Sequence, residues 1–220
     1  MTWEFYTLAC VLALSISIVL QRVLIHTFKV DPYAYAAVFQ ALVGFLLLVP
    51  ACISGVSLSG IERVWPLAII AIVSFGIGHI VYAKTLQRIE ASVFSVLFAT
   101  HAVWVMVVGV LLLHETITAI QIFGAGLIFV SIVLLAKNIR SILRDKGTLY
   151  GLLTGILFGV AIAAWSYVGR YTDVPSWAAI SFLGSVIVVL LVRPTVVGTM
   201  KPLFAPGIIA RLLLLALFYA

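Results

Sequence analysis

The feature that most constrains this chain is a succession of long apolar runs separated by short polar breaks. They fall at about 3–21, 33–53, 65–83, 91–113, 118–136, 148–168, 177–192 and 203–220. Most are about 18 to 22 residues long, enough to carry a helix across a hydrocarbon core of about 30 Å. In lipid each backbone N–H and C=O must be satisfied within its own segment, so runs of this length must be helical. The sequence lacks the alternating segments of about ten residues that mark a membrane barrel. Composition agrees: 65% of the residues are hydrophobic and 9% charged, whereas soluble domains carry about a quarter charged residues. The expected fold is an all-α membrane protein, a polytopic helical bundle with eight transmembrane helices present.

Charge sorts between the turns. Odd-numbered turns hold Arg22, Lys29, Lys84, Arg88, Lys137, Arg140, Arg144, Lys146, Arg193 and Lys201, and even-numbered turns hold Arg63 and Arg170. Ten against two is a positive-inside pattern, which predicts cytoplasmic odd turns and an extracytoplasmic N-terminus. The net charge of +6 therefore speaks of orientation and lipid headgroups, not of nucleic acid. Arg22, ending span one, reads as a headgroup anchor. Cys10 and Cys52 give neither a disulfide framework nor a metal-ligand spacing. No cofactor motif is present, so neither a metal nor a cofactor is expected.

The chain also echoes itself at an offset of about 143 residues. "YTLACVLALSISIVLQR", "VDPYAYAA" and "LLLVP", from Tyr6 to Pro50, run parallel to "YGLLTGILFGVAIAAWS", "DVPSWAAI" and "VLLVRP", from Tyr150 to Pro194. A proline precedes the second span of each copy and another closes it. "VYAKTL" at Val81 is echoed by "FYA" at Phe218. This divides the chain into a five-helix repeat at 1–137, a basic cytoplasmic linker at 138–147 and a second repeat at 148–220, cut in its third helix. An odd number of spans forces the two copies to cross the membrane with opposite polarity. The expected whole is thus ten spans in two inverted five-helix repeats, an architecture of secondary transporters. Homo-oligomerisation would be another way to complete an interface between halves.

Three stretches carry a family resemblance: "YAKTLQRIEAS" joining spans three and four, "LLLHET" closing span four, and "QIFGAGLIFVSIVLL" as span five. In these the chain resembles the EamA family of the drug/metabolite transporter superfamily. Members typically show aromatic–Ala–x–x–Leu, then Leu–Gly–Glu, then Gln–x–x–Gly–x–x–Leu–Ile. The resemblance implies a ten-span transporter of small organic solutes, and says little about which. Two positions depart from the pattern. Ala102, preceded by His101, stands where many members have a proline that kinks span four, and His114 replaces the glycine before Glu115. Members are also usually drawn with cytoplasmic termini, opposite to the charge pattern here.

A transporter needs polar or aromatic groups facing a cavity near the midplane, where each is otherwise costly. All seven acidic residues sit at span ends or in turns, which argues against a buried carboxylate that alternates between proton and cation. His79 lies within span three, on one face with Phe75 and Tyr82 at i−4 and i+3. It is a candidate for the solute pathway, with a packing histidine as the alternative. His101 is a second candidate, off the small stripe of Ser92, Ser95, Ala99, Ala102 and Gly109, which reads as the close-packing face of span four. Ser17 and Gln21, at i and i+4, are further pathway candidates. So are the aromatics Trp165 and Tyr167, whose alternative is an interfacial belt. Gly151, Gly155 and Gly159 form a four-residue-spaced stripe suited to close helix contact. Thr118 and Gln121 have capping-box spacing at the start of span five. Glu115, just before that positive helix end, reads as part of the turn, with a gate or coupling acid as the alternative.

The reading is a secondary transporter of a small organic metabolite or drug-like solute in the plasma (inner) membrane. A non-transporting assembly or regulatory subunit is the alternative. An enzyme is weaker still: "HETIT" lacks the second histidine of H-E-x-x-H, and "GVSLSG" is not a G-x-S-x-G elbow.

Overall fold

A computed structural model describes residues 3–135 and 145–219. Its helices are α1 (Trp3–Thr27), α2 (Pro32–Ser54), α3 (Trp65–Leu86), α4 (Ala91–Phe98), α5 (His101–Leu113), α6 (Ala119–Leu135), α7 (Lys146–Val168), α8 (Val174–Val192) and α9 (Pro206–Tyr219). Short helical turns at Ile61–Arg63, Val196–Thr199 and Lys201–Phe204 link them. Among the described residues six apolar helical segments are long enough to cross a membrane, with α4 and α5 together counting as one. Ala119–Leu134 and Pro206–Tyr219 are shorter apolar helices. The protein is thus a polytopic helical membrane protein.

Local chemistry sets the helix starts. The Asp31 carboxylate accepts from the N–H groups of Tyr33 and Ala34 at 2.9 and 3.1 Å. Asp145 caps α7 through Thr148 N–H at 2.8 Å, and Asp173 caps α8 through Ser176 N–H at 3.0 Å. Each satisfies donors that the first helical turn leaves without a partner. Pro32, Pro66 and Pro175 sit in first turns, where a missing N–H costs nothing. Pro50 does not close its helix, contrary to the sequence reading. α2 runs on to Ser54, because a proline so near the C-terminal end removes a single ladder bond.

The bundle is built on helix pairs that alternate in direction. α3 lies along α7, α2 along α8, α4 and α5 along α7, and α3 also touches α8. α9 packs on α1 and α2. Asp31 before α2 meets Arg193 just past α8 at 2.7 Å, while Ser57 beyond α2 donates its N–H to Ser176 Oγ near the start of α8 at 3.1 Å. α2 and α8 are therefore antiparallel. α3 and α7 are antiparallel as well: Ala68 clusters with Ala164 and Val168, and Thr85 faces Thr154 at the opposite end.

Three expectations are corrected by this packing. Span four is broken: α4 ends at Phe98 and α5 begins at His101 although no proline is present. Thr100 Oγ1 and His101 Nδ1 donate to the carbonyls of Leu97 and Phe98, both at 2.7 Å, so side chains take up carbonyls that the interrupted ladder releases. Of the small residues of span four only Gly109 is buried, and Ala99 partly, so the stripe as a whole is not its contact face. Ser92, Ser95 and Ala102 are exposed, while Phe94, Leu97 and Thr100 are buried. Close approach needs small residues on one partner only, and α7 supplies them. A Cβ placed on Gly151, Gly155 or Gly159 would meet Leu97, Thr100 and Trp104 respectively at under 3 Å. Arg22 is not a free headgroup anchor either. Its Nε donates to the Ile89 carbonyl at 2.8 Å, tying α1 to the α3–α4 turn. Of the basic segment 138–147, residues up to 144, with Arg140 and Arg144, lie outside the described residues, as does Lys137.

Candidate functional site

His79 stands at the centre of the buried aromatic core. Its ring centroid lies 4.9 Å from that of Phe158, 6.1 Å from Phe39 and Phe75, 6.2 Å from Phe182 and Tyr219, and 6.3 Å from Tyr82. These rings come from α2, α3, α7, α8 and α9, so one imidazole touches both halves of the chain. Helical spacing explains the α3 members: Phe75, His79 and Tyr82 project from one side of that helix, which is buried from Gly78 through Ala83. The His79 ring lies tilted against Phe39, Phe75, Tyr82 and Phe158 and edge to face with Phe182 and Tyr219.

The imidazole is held in one orientation. Nδ1 lies 2.9 Å from the Phe75 carbonyl oxygen. A carbonyl can only accept, so Nδ1 carries the proton of this bond and Nε2 is the acceptor in the neutral ring. Among the described residues no hydrogen bond engages Nε2, nor the hydroxyls of Tyr82 and Tyr219. A relay enters the same core from α1. Tyr35 Oη donates to Gln21 Oε1 at 2.6 Å, and Gln21 Nε2 donates to Ser17 Oγ at 2.9 Å. Among the described residues no carboxylate, lysine or arginine is fully buried with these rings. Chemically, the core offers aromatic faces, a hydrogen-bond acceptor and hydroxyls, which suits an uncharged or planar organic group.

The structure separates the remaining sequence candidates. His101 stacks on Phe98 with centroids 4.7 Å apart and its Nδ1 is spent on the backbone, so it sits at the break of span four, beside the aromatic core. Phe98 connects it to Phe158 at 5.1 Å. Trp165 is placed between α7 and α8, donating to Ser181 Oγ at 3.0 Å while its carbonyl accepts from Trp177 Nε1 at 3.1 Å. Tyr167 lies elsewhere, beside Tyr171 at the rim of a pocket of about 440 Å³ lined also by Arg63, Val64, Pro66 and Leu67. Gly151, Gly155 and Gly159 lie against α4 and α5, away from the rings.

The α5–α6 turn forms a third group. Glu115 pairs with Arg170 at 2.5 Å, with side chains 43% and 58% exposed, tying the end of α5 to the end of α7. Its N–H also donates to the Gly109 carbonyl at 3.0 Å, and the preceding His114 adopts a left-handed φ of 55°. That conformation explains why glycine suits the position before the glutamate. Thr118 N–H donates to Gln121 Oε1 at 2.8 Å, and Gln121 N–H to Thr118 Oγ1 at 3.4 Å, the reciprocal pair of a capping box.

These features have a family context. The EamA-like transporter family matches residues 1–137. The chain belongs to that family. No curated protein matches the chain. EamA-like proteins are transporters rather than enzymes, so the aromatic core here belongs to a transporter fold.

Sequence reasoning reached His79, Tyr82, Gln21 and Ser17, and missed Tyr35, Phe39, Phe158, Phe182 and Tyr219 as their neighbours. Tyr219 had a signal, since "FYA" echoes "VYA" around Tyr82. The phenylalanines had none, being apolar residues in apolar helices. Gln40 was also missed. It is fully buried in α2, and its Oε1 is the buried side-chain oxygen without a partner among the described residues. Among those residues no three His, Cys, Asp or Glu side chains gather as a metal-ligand set.

Proposed function

We propose that this protein is a secondary transporter that moves a small organic solute by alternating access between two inverted repeats, 1–137 and 148–220. The helix pairing carries this reading. If α1, α2 and α3 correspond to α7, α8 and α9, exchanging the copies turns α3 on α7 into α9 on α1. The same exchange turns α3 on α8 into α9 on α2, and α2 on α8 into itself. Every one of these pairings occurs. The antiparallel course of α2 and α8 agrees with a pseudo-two-fold axis in the membrane plane. Two residue correspondences add support. Asp31 and Asp173 cap equivalent helices, and Tyr82 and Tyr219 meet at His79.

In this reading the solute passes the aromatic core, and His79 Nε2 with the free hydroxyls fixes its orientation. Rocking of the halves breaks contacts at one end of the α2–α8 pair while keeping those at the other. Asp31–Arg193 serves the end rich in basic residues, and Ser57–Ser176 with Glu115–Arg170 serves the opposite end. The charge distribution favours a cytoplasmic basic end and an extracytoplasmic N-terminus in the plasma membrane.

The test is solute flux in proteoliposomes across a broad panel, followed by His79→Gln. The expected result is saturable flux of an organic solute that His79→Gln reduces at least tenfold while the protein still folds. Flux untouched by His79→Gln would remove His79 from the pathway, and no flux for any solute would favour an assembly subunit.

A further inference from the structure

We propose that the seam between α2 and α8 is a two-position latch, with Gln40 as its receiving group. In the present conformation the Gln40 carbonyl oxygen lacks a donor; when α8 shifts on α2 and α3, it accepts the hydroxyl proton of Ser185. This inference rests on the rocking of the two halves and adds the bond that holds the second conformation.

Gln40 is a costly residue for its place. It lies inside the apolar helix α2 and is 0% exposed. Its Nε2 donates to the Ala36 carbonyl, one turn back, at 3.1 Å. A carbonyl only accepts, so that bond fixes which amide atom is nitrogen. Among the described residues no donor meets Oε1. A buried acceptor in that position has given up its hydration and gained nothing in return. The neighbours locate it. Gly44, one turn on, abuts Leu183 of α8, while Ala36 and Ala37 cluster with Ile80 of α3 and Val189 of α8. Gln40 is therefore level with residues 185–187 of α8, away from the ring-bearing face of α2.

Ser185 is the donor at that level. Its Oγ lies 2.8 Å from the Ser181 carbonyl and 3.0 Å from the Ile72 carbonyl of α3, and its single proton serves one of them at a time. Both carbonyls lie inside helices, where each accepts the N–H four residues on. Moving the Ser185 proton therefore leaves neither without a partner. Ser181 is less available, since it donates to the Ala178 carbonyl at 2.9 Å and accepts from Trp165 at 3.0 Å. The seam also permits movement. A Cβ on Gly44 or Gly76 would lie 2.8 Å from Leu183 and Val188 respectively, so both glycines bring bare backbone against α8. Bare backbone offers no ridge for α8 to climb. Asp31–Arg193 and Ser57–Ser176 close the two ends of the pair here. Opening one end loses its contact, and the Gln40–Ser185 bond offsets that loss.

Spin-label distance measurements in proteoliposomes test this, with Cys10 and Cys52 replaced by serine. One label pair sits on cysteines at Ser59 and Val174, and a second, in a separate sample, at Lys29 and Thr195; all four positions are exposed. The expected result is a short and a long distance at one end of the α2–α8 pair. Gln40→Leu should lower the long-distance population about tenfold relative to the short one, the effect of one buried hydrogen bond. Ser185→Ala should do the same, and it serves if Gln40→Leu does not fold. The double variant should shift the populations no further than either single one, because one bond is lost in all three. Two populations that neither variant changes would overturn the latch and leave the rocking reading intact; a water that satisfies Gln40 equally in both conformations gives this result. Additive shifts would overturn it as well. A single distance at both ends of the wild type would remove the rocking reading and the latch with it.

Discussion

Replacing Gly155 by alanine probes the tightest contact in the bundle. A Cβ at Gly155 would lie 2.1 Å from Thr100 Oγ1 and 3.4 Å from the Leu97 carbonyl oxygen. Ordinary carbon–oxygen contacts are about 3.3 Å or longer, so Thr100 or the helix must move by roughly 1 Å. Thr100 is buried, and its hydroxyl donates to Leu97 O at 2.7 Å in the break of span four. Rotating it away forfeits a bond worth about 0.5–1.5 kcal/mol net. Shifting the helix instead incurs an overpacking cost of about 1–3 kcal/mol. Alanine returns about 1 kcal/mol of helix propensity. The net expectation is a loss of up to about 2 kcal/mol, or up to roughly 8 °C in a chain of this size. Thermal unfolding in detergent micelles of the wild type, Gly155→Ala, Thr100→Ala and the double variant measures it. The clash exists only while both side chains are present, so the double variant should be more stable than the sum of the singles predicts. A Gly155→Ala protein more stable than the wild type, or strict additivity, would refute the reasoning. Gly155→Leu should prevent folding altogether.

Other predictions follow from the turns and caps. His114→Gly should raise stability by about 1 kcal/mol, because it relieves a left-handed residue of its Cβ clash; an unchanged melting temperature would count against the cap geometry. Glu115→Gln should cost no more than about 1 kcal/mol, since the Arg170 pair is largely exposed. A changed pH dependence of flux with normal expression would instead mark Glu115 as a coupling acid. Hydrogen bonds hold both capping carboxylates below their ordinary range. Asp145 accepts from the backbone and side chain of Thr148, and Asp173 from the side chain and backbone of Ser176. Near pH 4 the unfolded chain therefore binds more protons than the folded one. The contribution of these caps is complete above the unfolded pKa and is lost as pH falls through the lower folded value. Asp145→Asn combined with Asp173→Asn should flatten the loss of stability below about pH 4 in acid titrations followed by circular dichroism.

The legibility of the site varied by residue. His79, Gln21 and Ser17 could be found because a polar group inside an apolar run is expensive and so stands out. The capping aspartates and Thr118–Gln121 could be found because they act on backbone a few residues away. Phe158 and Phe182 could not, since nothing local distinguishes a phenylalanine beside an imidazole from one beside lipid. Arg22 misled for the same reason. Headgroup anchoring was the local expectation, but its partner, the Ile89 carbonyl, lies 67 residues away in sequence.

By itself, the sequence determined that this chain is a polytopic helical membrane protein. It also determined the family resemblance and which end of the bundle carries the basic residues. All of these follow from composition, run length and short-range spacing, which act along the chain. Only the tertiary structure decided which helix faces meet. It turned Ser92, Ser95 and Ala102 of span four outward, set the glycines of α7 against the break at Thr100, and gathered rings from five helices around His79. Those outcomes depend on side-chain shape across helix interfaces. In a chain apolar on nearly every face, hydrophobicity alone does not tell the buried face from the one that meets lipid.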